Sequence, residues 1–141
     1  MLLAIPPDDI GKVWEQVEPE LDRAFRLTRK IETHELREAL EIGYGQLWVV
    51  WNNTTKEQWA VVLSDIQSFY GGRKCARIVG LAGKGFELWR HLILDIEVWA
   101  VNEGCDAIEI VGRKGWARMF PDYDPIEYVL SKELSNGQLW Q

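Results

Sequence analysis

Two cysteines and two histidines are all that these 141 residues offer of the side chains that most often build metal centres and nucleophile–base pairs. Cys75 and Cys105 fit no zinc spacing, and His34 and His91 stand alone. Each cysteine borders a predicted strand, so both read as buried free thiols of a reducing compartment. No Gly-x-Ser-x-Gly elbow, Cys–His pair or metal cluster occurs. No apolar run reaches the length of a membrane span. The opening Met1-Leu2-Leu3-Ala4-Ile5-Pro6-Pro7 lacks a basic segment and is cut short by prolines, so it does not read as a signal peptide. A cytoplasmic location without membrane contact is expected. Lysine and arginine come at most in pairs, and the net charge is −6. A duplex-nucleic-acid binder needs a basic face, so that class is excluded. A local basic patch remains around Arg113, Lys114 and Arg118.

What the chain does hold is ordinary for a globular protein: 47% apolar and 27% charged residues. No repeat, low-complexity tract or linker interrupts it, so residues 1–141 are expected to form a single domain. Eight tryptophans are many for this length. They are spread along the chain, as core and near-core packing requires. Trp140 is the best placed for a protein–protein contact.

Pro6-Pro7-Asp8-Asp9 is a helix-entry signal, followed by Ile10, Val13, Trp14 and Val17 at helical spacing. Pro19 restarts the helix, and Leu21, Ala24, Phe25 and Leu27-Thr28 continue its stripe. Thr33 caps a short helix carrying Leu36, Ala39 and Leu40, which Gly43 ends. Gln46–Trp51 and Gln58–Ile66 read as strands joined by the turn Asn52-Asn53-Thr54-Thr55, an antiparallel hairpin. After Gly71-Gly72 comes a strand over Cys75–Val79, a glycine-rich corner, a long helix over Phe86–Glu103 and a strand over Asp106–Val111. Leu88, Val98 and Val101 widen the apolar face of that helix, which predicts burial on more than one side. A short helix ends at Pro121, and Ile126–Leu130 is expected to be a last strand. The fold class is α+β: a mixed, mostly antiparallel sheet with one parallel βαβ crossover and helices on both faces.

The corner Gly80-Leu81-Ala82-Gly83-Lys84-Gly85 is the most informative segment. A helix N-terminus offers unpaired N–H groups and the positive end of a dipole. Glycines let a phosphate approach them. The competing reading is a tight turn that uses glycine for positive φ. A Walker A loop is excluded, because Gly85 follows Lys84 and Ile78 stands where the first glycine belongs. A Rossmann fingerprint is excluded by the preceding helices and antiparallel hairpin.

This order of elements, over nearly the whole chain, resembles the GNAT (Gcn5-related N-acetyltransferase) fold. That family binds the pyrophosphate of acetyl-CoA in a loop of pattern Arg/Gln-x-x-Gly-x-Gly/Ala. Gly83 and Gly85 match its small positions, Gly80 replaces the Arg/Gln, and Lys84 offers a compensating positive charge. The resemblance implies that Val79, Gly80, Gly83, Lys84 and Gly85 contact acetyl-CoA. It also implies that the strands over 75–79 and 106–111 splay, with the pantetheine arm pairing to the exposed edge. The family's next signature is a helix carrying Asn-x-x-Ala-x-x-x-Tyr, whose tyrosine protonates the leaving thiolate. Here those positions fall on Arg113, Trp116 and Phe120. Phe120 has no hydroxyl, and Tyr123 is the substitute three residues on. The stretch Gly112–Phe120 and the many tryptophans also resemble small uncharacterised bacteriophage proteins of GNAT-like fold.

Amine acetylation needs a proton acceptor for the amine and little else. Glu109, on the strand face opposite Ile108 and Ile110, is the candidate. The competing reading is a glutamate paired with Arg77 or Arg113. Asp65 is a second acid, at a place where acids usually serve turns. Arg113 and Arg118, flanking Trp116, could grip an anion, although solvated charges are the commoner outcome. Two functions follow. One is an acyl-CoA-dependent transfer of acetyl to a small-molecule amine, for which the acidic surface favours a cationic acceptor. The other is a non-catalytic module that binds a protein partner, structural in a virion or directed at a host.

Overall fold

The computed structural model describes residues 1–25, 32–112 and 115–134. Helix α1 (Ile10–Phe25) follows a 3-10 turn at Pro7–Asp9. Its buried residues Ile10, Trp14, Val17 and Leu21 form one stripe. The helix runs through Pro19 without restarting. Pro19 is exposed, so the hydrogen bond it cannot make falls on the solvent side, where water replaces it. Leu27 and Thr28 lie outside the described residues. Helix α2 spans Thr33–Glu41, with Glu32 rather than Thr33 in the cap position and no side-chain cap.

Five strands form one sheet in chain order: β1 (Leu2–Ile5), β2 (Gln46–Asn52), β3 (Glu57–Ser68), β4 (Lys74–Gly83) and β5 (Ala107–Ile110). The first three junctions are antiparallel, and β4–β5 is parallel. The expected hairpin is β2–β3. Its turn is built on Asn52, whose Oδ1 accepts the N–H groups of Thr54 and Thr55 at 2.9 and 3.0 Å. Strand β1, pairing Leu2 to Ile5 with Val50 to Leu47, was not expected. It is a short edge strand, half exposed and without alternation.

Helices cover both faces. Against one, α1 and α2 pack on Leu47, Val49, Val61 and Leu63. Against the other, Trp89, Ile93, Ile96 and Phe120 pack on Trp48, Val50, Val62 and Ile78. Among the described residues Ser64 is the one fully buried polar side chain, and its hydroxyl accepts the indole N–H of Trp48 at 2.9 Å. Leaving that group unpaired would cost about 1–3 kcal/mol. None of the seven described tryptophans is exposed. Trp140 lies outside the described residues.

The long helix expected over Phe86–Glu103 is broken. Helix α3 (Phe86–Trp89) passes through a 3-10 turn, Arg90–Leu92, into α4 (Ile93–Asn102). The break falls at Trp89, with φ −124° and ψ 2°. Its ring is buried edge-on against Phe86, and its indole N–H donates to the Lys84 carbonyl at 2.9 Å. Seating that ring bends the backbone. The helix is buried on one side only, since Leu88, Val98 and Val101 are 66%, 58% and 71% exposed. Helix α5 is Trp116–Met119. The expected last strand at Ile126–Leu130 is absent: the segment pairs with no described strand, and its apolar residues are exposed. A β-patterned sequence becomes a strand only when an edge meets it, because its hydrogen bonds come from a neighbour.

Candidate functional site

The glycine-rich corner is shorter than the sequence suggests. Gly80 to Gly83 belong to β4, paired with Leu63 to Ala60 of β3, and only Lys84 and Gly85 turn the chain. Val79 is a bulge: Ile78 faces Ser64 and Gly80 faces Leu63, so Val79 has no partner. A Cβ at Gly80 would lie 2.8 Å from the Phe25 ring, so α1 packs its last side chain where a larger residue would stand. A Cβ at Gly83 would lie 2.3 Å from the Trp59 carbonyl oxygen and 2.4 Å from the Ala60 Cα. Gly83 is therefore demanded by β3 itself. Gly85, at φ +70°, starts α3 with the Trp59 ring against it.

No side chain caps α3. The N–H groups of Phe86 and Glu87 have no intrahelical acceptor. Lys84 donates its backbone N–H to the Trp59 carbonyl and holds Glu57 by its ammonium at 3.1 Å. Both side chains of that pair are largely exposed, so it is worth about 0–1 kcal/mol and is easily exchanged for another anion.

Strands β4 and β5 run in register from Cys75–Ala107 to Ile78–Ile110. A last bond joins the Val111 N–H to the Ile78 carbonyl at 2.9 Å. Beyond it β4 continues to Gly83, and no described strand pairs with its outer edge. Strand β5 ends at Ile110, so β4 outlasts it and keeps an open edge from Val79 to Gly83. On the α3 side lies an aromatic cluster: Phe86 lies 6.1 Å from Trp116 and 5.3 Å from Phe120, and Trp116 stacks on Phe120 at 22°. The Arg90 guanidinium ties this wall together by donating to the Met119 carbonyl at 2.7 Å.

Glu109 lies one residue before the end of β5, on the α1–α2 face, since Ile108 and Ile110 pack on the other. It accepts the Cys75 thiol at 3.2 Å. It does not pair with Arg77, its neighbour in register. Arg77 gives a two-pronged grip to Asp65 instead, Nε to Oδ1 at 3.0 Å and Nη2 to Oδ2 at 2.9 Å. Asp65 is thus an ion-pair partner in mid-strand, not a turn residue. Burial, with Glu109 second, pushes the Cys75 thiol up to about 12. The sequence offered Cys75 only as a buried thiol; its diagonal place opposite Glu109 depends on the parallel register.

Tyr123 stands on the other face of the sheet. It packs on Phe120 at 5.5 Å and donates its hydroxyl to Glu97 of α4 at 3.0 Å. Burial, then the Glu97 charge, pushes its ionisation upward. Phe120 is buried in the aromatic wall. Glu109 and Tyr123 therefore flank the sheet from opposite sides and do not share one face. His34 and His91 are exposed. His91 lines a shallow cavity of about 310 Å³ with Met1, Trp51, Trp59 and Leu88, away from Glu109. Arg113 and Lys114 lie outside the described residues. Among the described residues both cysteines are free, no group of acidic, His and Cys side chains could hold a metal, and no helix is long and apolar enough to cross a membrane.

No family model and no curated protein matches this chain. Solved structures do match over nearly its whole length. An aminoglycoside acetyltransferase from an uncultured soil metagenomic sample superposes with a TM-score of 0.70 at 14% identity, covering 96% of this chain and 97% of its own. A GNAT family acetyltransferase of Staphylococcus aureus gives 0.65 at 14% identity, with 95% and 98% covered. An aminoglycoside 6'-N-acetyltransferase of Acinetobacter baumannii gives 0.66 at 12%, with 96% and 97% covered. The chain has the GNAT fold.

Proposed function

We propose that this protein is an acyl-CoA-dependent N-acetyltransferase that acts on a cationic amine. The observation that carries the reading is the open edge that β4 keeps beyond its last bond to β5, just past Glu109. Acetyl-CoA, when bound, supplies the activated acetyl group. The residues present fit it. The open edge of β4 from Val79 to Gly83 offers backbone N–H and C=O groups to an amide-bearing arm, as an added strand would receive them. The uncapped N–H groups of Phe86 and Glu87, together with Lys84, offer donors to phosphate oxygens. Gly83 and Gly85 serve this indirectly, by letting β3 and Trp59 hold the corner in place.

Glu109 takes the proton that the amine nitrogen loses as its bond to the acetyl carbon forms. Tyr123 holds the proton that the departing sulfur requires, from the opposite face. Its hydroxyl is kept protonated by burial and by Glu97, so giving up the proton entails exchanging that hydrogen bond. The net charge of −6 favours a cationic acceptor. The aminoglycoside acetyltransferases that share the fold, one solved with sisomicin, make polycationic amines the first acceptors to try. Calorimetry with CoA is the decisive measurement. Binding is expected to be weak, and an absence of heat and of any thermal shift at millimolar CoA would remove the enzyme reading.

A second reading has its own support. Leu94, Val98 and Val101 form an exposed apolar stripe on α4, and Ile126, Tyr128, Val129 and Leu130 are exposed as well. Such surfaces mark protein contacts, as a non-catalytic module of a virion or one directed at a bacteriophage host would need. That reading wins if no primary amine is acetylated while Val98→Glu abolishes a protein–protein contact.

A further inference from the structure

We propose that residues 126–130 of one copy of this chain add as a strand to the bare edge of β5 in a second copy, with their apolar side chains against α4. The inference stands apart from acetyl transfer. Strand β5 ends the sheet: it pairs with β4, and among the described residues no strand pairs with its other edge. Such an edge is a template for a further strand. Residues 126–130 are the converse, a strand pattern without an edge. Ile126, Tyr128 and Leu130 alternate with Glu127 and Val129, so an extended chain puts those three on one face. Tyr128 is 78% and Leu130 96% exposed.

Helix α4 shows where that face would go. Ile93, Ile96 and Ala100 point at the sheet. The Trp99 ring meets Trp48 of β2 edge-on at 5.5 Å, so Trp99 marks the flank that leans toward β2. With 3.6 residues to a turn, Leu94, Val98 and Val101 form a stripe on the flank away from Trp99, on the β5 side of the sheet order. They are exposed because the sheet stops at β5 and leaves nothing beneath them. Ile108 and Ile110 of β5 already face α4. A strand added beside them would carry Ile126, Tyr128 and Leu130 on that same face, under the stripe. The opposite edge, β1, runs straight into Pro6-Pro7, and the stripe points away from it.

The chain's own segment does not take this place. Tyr123 is fastened first, its N–H on the Phe120 carbonyl and its hydroxyl on Glu97, both at 3.0 Å. Pro125 follows, and residues 126–130 stand in water. Donor segment and acceptor edge thus lie on one side of every copy, each unfilled. That is what a reciprocal exchange about a two-fold axis requires, since the same surface must serve both copies. The exchange buries in every molecule the patches that would otherwise call for a foreign partner.

The full chain is measured by light scattering and sedimentation from about 1 to 100 μM. Val98→Glu charges the stripe, Val129→Pro breaks the donated strand, and Leu3→Glu on β1 is the control. All three positions are exposed, so each variant should keep the circular dichroism of the wild type. The expected result is a dimer whose dissociation constant rises at least about tenfold in Val98→Glu and in Val129→Pro, and is unchanged in Leu3→Glu. Amide exchange at 126–130 should slow only at concentrations where the dimer forms. A wild type that stays monomeric throughout would overturn the proposal and leave the patches to a partner of another sequence. A dimer indifferent to Val98→Glu and Val129→Pro would overturn it too, as would one lost in Leu3→Glu. So would protection of 126–130 that does not depend on concentration, which would assign the strand to its own chain.

Discussion

Arg77 stands between two acids, Asp65 on β3 and Glu109 on β5, and closes both prongs of its guanidinium on Asp65. Among the described residues Glu109 makes no ion pair, although Arg77 stands beside it across the strands and feels its charge. Asp65→Ala should release Arg77 toward Glu109. Turnover should fall by about tenfold, while unfolding free energy changes by only about 0.5–1.5 kcal/mol. Steady-state kinetics beside denaturant melts would check this, and an unchanged kcat would show that the Arg77–Asp65 pair has no bearing on Glu109.

Glu109→Gln keeps the shape of the side chain and removes the proton acceptor. Turnover should drop by roughly 10²–10⁴-fold with little change in KM for acetyl-CoA. A variant that acetylates normally would assign the proton transfer to another group.

Gly83 answers a different question. Gly83→Ala places a methyl against the Trp59 carbonyl and the Ala60 Cα, at φ +146°. The variant should lose about 2–4 kcal/mol of stability without any ligand present. Gly115→Ala, where a Cβ meets nothing within 4 Å, serves as the control. Equal melting temperatures for the two would mean that β3 does not press on Gly83. Loss of CoA binding in a Gly83 variant alone is not evidence of phosphate contact.

Stability should also fall on the alkaline side. The Cys75 thiol titrates near 9.0 when unperturbed and is pushed up to about 12 in the fold, by burial first and Glu109 second. Between those values the folded chain binds the proton that the unfolded chain has lost. The contribution is therefore whole below about pH 9 and fades as pH rises toward 12. Cys75→Ala should flatten the decline of melting temperature over that window. A parallel decline in both proteins would locate its cause elsewhere.

Much of this fold could be read from local chemistry. The β2–β3 hairpin is announced by the Asn52 turn, α1 by a buried stripe at helical spacing, and the parallel pair by two apolar runs around a helix. What stayed hidden depended on partners far along the chain. Strand β1 exists because Val50 to Leu47 offer it an edge, and Ile126–Leu130 is not a strand because no edge meets it. Gly80 and Gly83 look alike as letters; one makes room for Phe25 and the other for Ala60. Glu109 was legible as a carboxylate in mid-strand, but its separation from Arg77 and its contact with Cys75 follow from register. Tyr123 was legible as a turn residue after the short helix, and the sheet between it and Glu109 was not foreseen.

The bond from the Val111 N–H to the Ile78 carbonyl acts as the stop of a zipper. Above it, β4 has no further rungs to lose on that side. A chain of atoms laid along Val79 to Gly83 would enter without unfastening anything, and the sheet below the stop would carry no memory of its arrival. Amide exchange at Val111 should be as slow with a guest beside β4 as without one, while exchange along the open edge of β4 slows.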